Sequence, residues 1–220
     1  MPRESKANRK ARALEIVARL EKAYPHATTE LRWPDPFHLL VAVILSAQCT
    51  DVAVNKVTES LFRKYLSPED FASADPEVFQ QEIHSTGFFR NKTKSVLGMS
   101  RMVLDEFGGE VPRTMEELLR LPGVQRKTAN VVMQIAFNEP SGIVVDTHVD
   151  RVSKRLGLVP PTVKQPEKIE QVLMEIYPRD KWIVFSQTLV LHGRYVCIAR
   201  KPRCPDCVLE TLCPKIGVPK

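Results

Sequence analysis

Near its C-terminal end the chain carries Cys197, Cys204, Cys207 and Cys213, in the spacing C-x6-C-x2-C-x5-C. Four thiolates this close in sequence can close one tetrahedral zinc site or hold a cubane 4Fe–4S cluster. Either would pin the segment more tightly than any hydrophobic pattern could. Zinc ribbons usually present two tight CxxC knuckles. Here there is one, Cys204-Pro-Asp-Cys207, and the outer ligands arrive on longer arms. That spacing favours the bulkier iron–sulfur cluster. Two disulfides are the remaining use of four cysteines. The opening Met1-Pro2-Arg3-Glu4-Ser5-Lys6 is charged and lacks the apolar stretch of a secretory signal, so a reducing cytoplasm is expected, where thiols stay free. The fifth cysteine, Cys49, stands beside an apolar run and is expected as a small buried hydrophobe.

At 220 residues the chain suits one large or two small domains, and its 43% apolar content fills a core without help from a metal. No apolar run reaches the roughly 18 residues of a membrane span, so no membrane partner is expected. The net charge of +6 points to polyanions. Placement is more telling than the total. Arg194, Arg200, Lys201 and Arg203 fall in a stretch without an acid, and the last three lie inside the first cysteine loop. A rigid loop bearing three cations suits a phosphate backbone; a solvated charged loop is the plainer alternative.

The remaining signals are nearly all helical. Asp35-Pro36, Ser67-Pro68 and Asp75-Pro76 each place a capping side chain before a proline, and Thr114-Met-Glu-Glu117 reads as a capping box. Val54, Val57, Leu61 and Tyr65 recur at helical spacing, as do Val149, Val152 and Leu156 before a stop at Gly157. Leu39 to Leu45 is apolar without a break, and with its cap at Asp35 it predicts a buried central helix continuing to Gln48. The first ten residues are expected to be mobile, and Ala13 to Leu20 to form a docked amphipathic helix. The fold class is all-α.

Two further stretches carry chemistry. In Leu121-Pro-Gly-Val-Gln-Arg-Lys-Thr-Ala129 one helix ends at Leu121, Pro122-Gly123 turns, and a second helix opens near Arg126. Such a helix–hairpin–helix turns backbone N–H groups towards a phosphate without reading sequence. Lys127, Asn130, Gln134 and Asn138 form a polar stripe on the second helix. Lys127 stands in its first turn, where the helix dipole disfavours a cation and favours the neutral amine a nucleophile needs. A phosphate-binding cation is the equal alternative. In Ile143-Val-Val-Asp-Thr-His148 an apolar run delivers Asp146 to a helix start. An N-cap is the simpler use of Asp146, and His148 is expected as a structural or DNA-contacting side chain.

Together these stretches resemble the endonuclease III family of helix–hairpin–helix DNA glycosylases, over nearly the whole chain. The resemblance rests on Leu45-Ser-Ala-Gln-Cys-Thr-Asp-Val-Ala-Val-Asn55, Leu121 to Val132, Val145-Asp-Thr-His148 and Leu191-His-Gly-Arg-Tyr-Val-Cys-Ile-Ala-Arg-Lys-Pro-Arg-Cys204, in order. It implies a six-helix barrel over residues 29–140, with the hairpin at 121–132. It implies a helical 4Fe–4S domain from 1–28 plus 141–220, with the cluster loop at 197–213 and DNA crossing between the domains. It makes Lys127 the catalytic lysine, Asp146 the catalytic aspartate and the four cysteines the cluster ligands. It implies contacts to damaged duplex DNA from Gly123, Gln125, Arg126, His148, Arg200, Lys201 and Arg203. Gln48 would fill the gap left by a flipped nucleotide and Phe88 would act as a wedge on the opposite strand. Ordinary core packing is the alternative for Phe88. The implied activity is removal of oxidised or ring-saturated pyrimidines, followed by β-elimination at the abasic site through a lysine Schiff base. The protein is expected to be monomeric and cytoplasmic, nucleoid-associated in a bacterium.

Gln125 departs from the family's usual Gly-Val-Gly hairpin. If the position needs a positive φ, glutamine strains it; if it does not, the long side chain crowds the approaching backbone, and either way a weaker phosphate grip and activity are expected. Two rivals stand beside this reading. An adenine–mismatch glycosylase would carry a glutamate in the early helix, and Leu45 to Asn55 has none. A non-catalytic DNA-binding protein would use the same hairpin and loop without chemistry.

Overall fold

The structure is a computed structural model describing residues 4–218, and every regular element among them is helical. The chain divides into two compact units, Glu30–Glu139 and the two flanking segments, up to Thr29 and from Pro140 onward.

The central unit is organised by helix α2 (Pro36–Leu45). Asp35 caps it by accepting from His38 N–H at 3.0 Å, and Pro36 occupies the first turn, where no N–H is needed. All seven residues from Leu39 to Leu45 are at most 8% exposed. Burying each of the larger ones contributes about 1.5–3 kcal/mol, which explains an apolar surface all round this helix. Packed on α2 are α3 (Asp51–Lys64), α6 (Phe89–Phe107) and α8 (Arg126–Phe137). The short α4 (Pro68–Ala72) and α5 (Pro76–Glu82) lie on α6, and α7 (Met115–Arg120) on α8. Both short helices begin at the expected Ser67-Pro68 and Asp75-Pro76 caps. Thr114 caps α7 through Glu117 N–H, but the Glu117 carboxylate accepts from the Thr114 hydroxyl at 2.7 Å.

The second unit packs α1 (Lys6–Ala23), α9 (Thr147–Arg155), α10 (Pro166–Ile176) and α11 (Trp182–Tyr195) around Ile16, Leu20, Val149, Val152, Leu173, Phe185 and Leu189. Arg12 on α1 donates to the carbonyls of Leu156 (2.8 Å) and Leu212 (3.1 Å), tying α1 to the end of α9 and to the cysteine segment.

Three local expectations are corrected. Helix α2 ends at Leu45, with Ser46 as its cap, because Gln48 takes a left-handed φ of 53° that no continuing helix allows. Lys6 to Lys10 are already helical, started by the Ser5 hydroxyl on Asn8 N–H; Met1 to Arg3 lie outside the described residues. The polar stripe of α8 does not face outward as a whole. Asn130 and Gln134 are 1% and 3% exposed, and Asn138 is a left-handed C-cap.

Candidate active site and nucleic-acid interface

In the hairpin, the chain leaves α7 at Leu121, and Val124 N–H closes the turn on Leu121 O at 3.1 Å. Gly123 carries the positive φ, +80°. A Cβ there would also meet Ser95 Cβ of α6 at 2.5 Å, so only glycine fits on both counts. Gln125 has an extended backbone (φ −104°), and the anticipated strain at this departure is absent. The first intrahelical bond of α8 runs from Ala129 N–H to Gln125 O, and Gln125 supplies no side-chain cap. No Gln125 side chain therefore covers the positive end of α8. Lys127 is exposed on this first turn. Gln48 and Phe88 both sit on turns with left-handed backbone, φ 53° and 49°, and both are exposed. Phe88, at 62% exposure, is not a core residue.

In the second unit, Val144 N–H donates to Ser186 Oγ (3.1 Å) of α11, which fixes the run that ends at Asp146. Asp146 Oδ1 accepts from His148 N–H and Val149 N–H, both at 2.8 Å, so it does cap α9. His148 packs under Gly193 of α11, where an added Cβ would stand 2.8 Å from its own Cβ. Its Nδ1 takes Arg151 Nη2 at 3.2 Å, and Arg151 goes on to the carbonyls of Gly193 (2.8 Å) and Cys197 (3.2 Å). Sequence reasoning missed Arg151 and its neighbour Arg155. Arg155 is buried and donates to the carbonyls of Ile198 (2.9 Å) and Ala199 (2.7 Å) and to Cys197 Sγ (3.4 Å). Only the run of cations at 151, 154 and 155 hints at them, and such runs usually face solvent.

These two arginines hold the start of the cysteine loop, and Arg203 N–H closes it on Val196 O at 3.0 Å. Arg200, Lys201 and Arg203 are exposed, and none is paired with a carboxylate among the described residues. All five cysteines are free thiols. Cys49 is partly buried against the central core, close to expectation. Cys197, Cys204, Cys207 and Cys213 line one pocket, partly open to solvent. Leu209 N–H and Lys215 N–H point at Cys207 Sγ (3.4 Å) and Cys213 Sγ (3.3 Å). Burial pushes both thiols up, and the neighbouring cysteines add to it. No group of three or more His, Cys, Asp or Glu among the described residues closes on a single metal ion. The donor set is nonetheless that of a soft metal group: four sulfurs at one pocket, three of them receiving N–H groups that stabilise thiolate. His192, buried and neutral with its pKa lowered to about 4 by desolvation, lies between Tyr24 Oη (3.2 Å) and Cys207 Sγ (3.4 Å).

A helix–hairpin–helix unit and a basic cysteine-containing loop in one chain define a class of DNA repair proteins, and residues 41–179 match the HhH-GPD superfamily of base excision DNA repair proteins. The chain is 53% identical to endonuclease III of Synechocystis over 94% of each chain, and 44% identical to that of Escherichia coli over 93% of this chain and 95% of the other. A solved non-covalent endonuclease III–DNA complex superposes with a TM-score of 0.88 at 45% identity, covering 94% of this chain and 95% of that one. A trapped covalent endonuclease III–DNA intermediate matches with the same score and identity, over 94% and 96%. The chain belongs to the endonuclease III family.

Proposed function

We propose that this chain is a bifunctional DNA glycosylase of base excision repair. It removes oxidised or ring-saturated pyrimidines from duplex DNA and cleaves the resulting abasic site by β-elimination. The observation that carries the reading is an exposed lysine on the uncapped first turn of the hairpin's second helix, in a family with a solved covalent DNA intermediate.

The target base leaves the stack because its glycosidic carbon is unreachable within a duplex. Lys127 as neutral amine attacks C1′ of the sugar, and the base departs as the C1′–N bond breaks. Asp146 as carboxylate assists deprotonation of the amine and stabilises positive charge on the sugar. The C1′–O4′ bond then opens, the ring oxygen taking the proton lost from the amine nitrogen, and the resulting imine at C1′ acidifies the adjacent C2′ proton. Loss of that proton expels the 3′ phosphate. Gln48 fills the vacated space and Phe88 wedges the opposite strand. The amides of Gly123, Gln125 and Arg126, together with His148, Arg200, Lys201 and Arg203, hold backbone phosphates. Cys197, Cys204, Cys207 and Cys213 would hold a 4Fe–4S cluster, which orders the basic loop and supplies no step of the chemistry. A reducing cytoplasm, with the chain on nucleoid DNA in a bacterium, suits both the free thiols and this substrate.

Borohydride trapping tests the reading. The wild-type chain should become covalently linked to duplex carrying an abasic site. Lys127→Gln should lose trapping while keeping its binding to an abasic analogue. Trapping at wild-type rate by Lys127→Gln would transfer the nucleophile to another amine.

A further inference from the structure

We propose that Lys92 is a positioning residue whose single buried ammonium sets the two turns that carry Gln48 and Phe88. The inference rests on the roles proposed for those two side chains. Lys92 lies in the first turn of α6 and is 5% exposed. Its Nζ donates to Leu45 O, the last residue of α2, at 2.8 Å, and to Thr86 O at 2.8 Å. Gln48 stands three residues beyond the first acceptor and Phe88 two beyond the second.

The choice of a lysine here is informative. No carboxylate among the described residues pairs with it, and desolvation lowers its pKa. Packing alone would be served as well by an apolar side chain of similar length, without burying a charge. The ammonium offers what a hydrocarbon cannot: donors to carbonyls on two separate turns, 47 and 6 residues away in the chain. Both turns continue into exposed non-glycine residues with φ near +50°. Such conformations persist only where the surroundings over-determine them, and they mark sites where geometry is set in advance. Two side chains entering one base stack need their spacing fixed before contact, otherwise ordering them is charged against each flipping event. Lys92 fixes that spacing at the roots of both turns.

The test is Lys92→Met in the full chain with its cluster. Single-turnover excision of an oxidised pyrimidine from duplex should fall about tenfold or more, the scale of a small misplacement. The fluorescence rise of a 2-aminopurine opposite the lesion, which reports insertion into the stack, should shrink with it. Trapping on an abasic site in single-stranded DNA, where there is no stack to enter, should be unchanged. Wild-type excision and fluorescence in Lys92→Met would overturn the inference. So would a parallel loss of single-strand trapping, which marks a general folding defect. A second measurement leaves Lys92 in place: Gln48→Ala and Phe88→Ala, singly and together. Turns that share one anchor should give non-additive losses of excision, and additive losses would overturn the coupling. Absence of trapping by the wild-type chain would overturn the enzymatic reading and this inference with it. A trapping-competent wild type with an unaffected Lys92→Met overturns this inference alone.

Discussion

Gly123 and Gln125 divide the demands of the hairpin between them. Gly123 takes the left-handed φ and the close approach to Ser95, while Gln125 is extended. Gln125→Gly therefore relieves nothing; it adds freedom to the unfolded chain and should cost about 0.4–1 kcal/mol in denaturant melts. A gain in stability would mean that Gln125 is strained after all. Asp146 caps α9, and the catalytic duty proposed for it is separable from that cap. Asparagine caps a helix about as well as aspartate, so Asp146→Asn should leave α9 and the thermal midpoint intact. Base removal should fall by about 10² or more through loss of the charge and proton acceptor. If stability falls in step with activity, the cap is its main role. At this scale the sequence was readable where a residue's function follows from its own backbone, as for the capping acids and Gly123. Lys92 was not readable, because nothing within its own helix shows that its partners are carbonyls on two other turns.

Among the elements, the cysteine loop is held from several directions before any metal is considered. Arg155 and Arg151 take its first carbonyls, Arg203 N–H closes it on Val196, and Arg12 reaches Leu212. A loop so fixed presents Arg200, Lys201 and Arg203 at constant spacing. Lys201→Ala should weaken binding to damaged and undamaged duplex alike and flatten the log–log salt dependence by about one unit per lost phosphate contact. An unchanged slope would place Lys201 away from the backbone. The helices themselves were legible where a cap and a proline coincide, as at Asp35, Ser67 and Asp75. Their ends were less so. In sequence α2 runs on to Gln48, because no residue there signals that the chain turns left-handed. Asn130 and Gln134 likewise pattern as an outward stripe, because polar side chains buried by tertiary packing look in sequence like solvated ones.

The described residues form two separate hydrophobic cores, and of these only one packs against cysteines of the 197–213 segment. Cys197, Cys207 and Cys213 pack against the core built by α1, α9, α10 and α11, with Leu209 fully buried there. The core around α2 contains none of the four. Metal-ligand energy is folding energy, so it should be spent on one core. Half-burial pushes the Cys207 and Cys213 thiols up, so without a bound group desolvation opposes the thiolate charge that the surrounding N–H groups favour. In Cys204→Ser, iron and sulfide content should fall from the four of each expected for a 4Fe–4S cluster. Hydrogen exchange should lose protection first in residues 197–218, then at the end of α9 and the start of α1, which Arg12 joins to that segment. Amides of α2, α6 and α8 should keep most of theirs, since local stability follows each core's own burial. Equal loss of protection in both cores would mean that the cluster supports the molecule as one cooperative body, and that the spatial separation of the cores has no energetic counterpart.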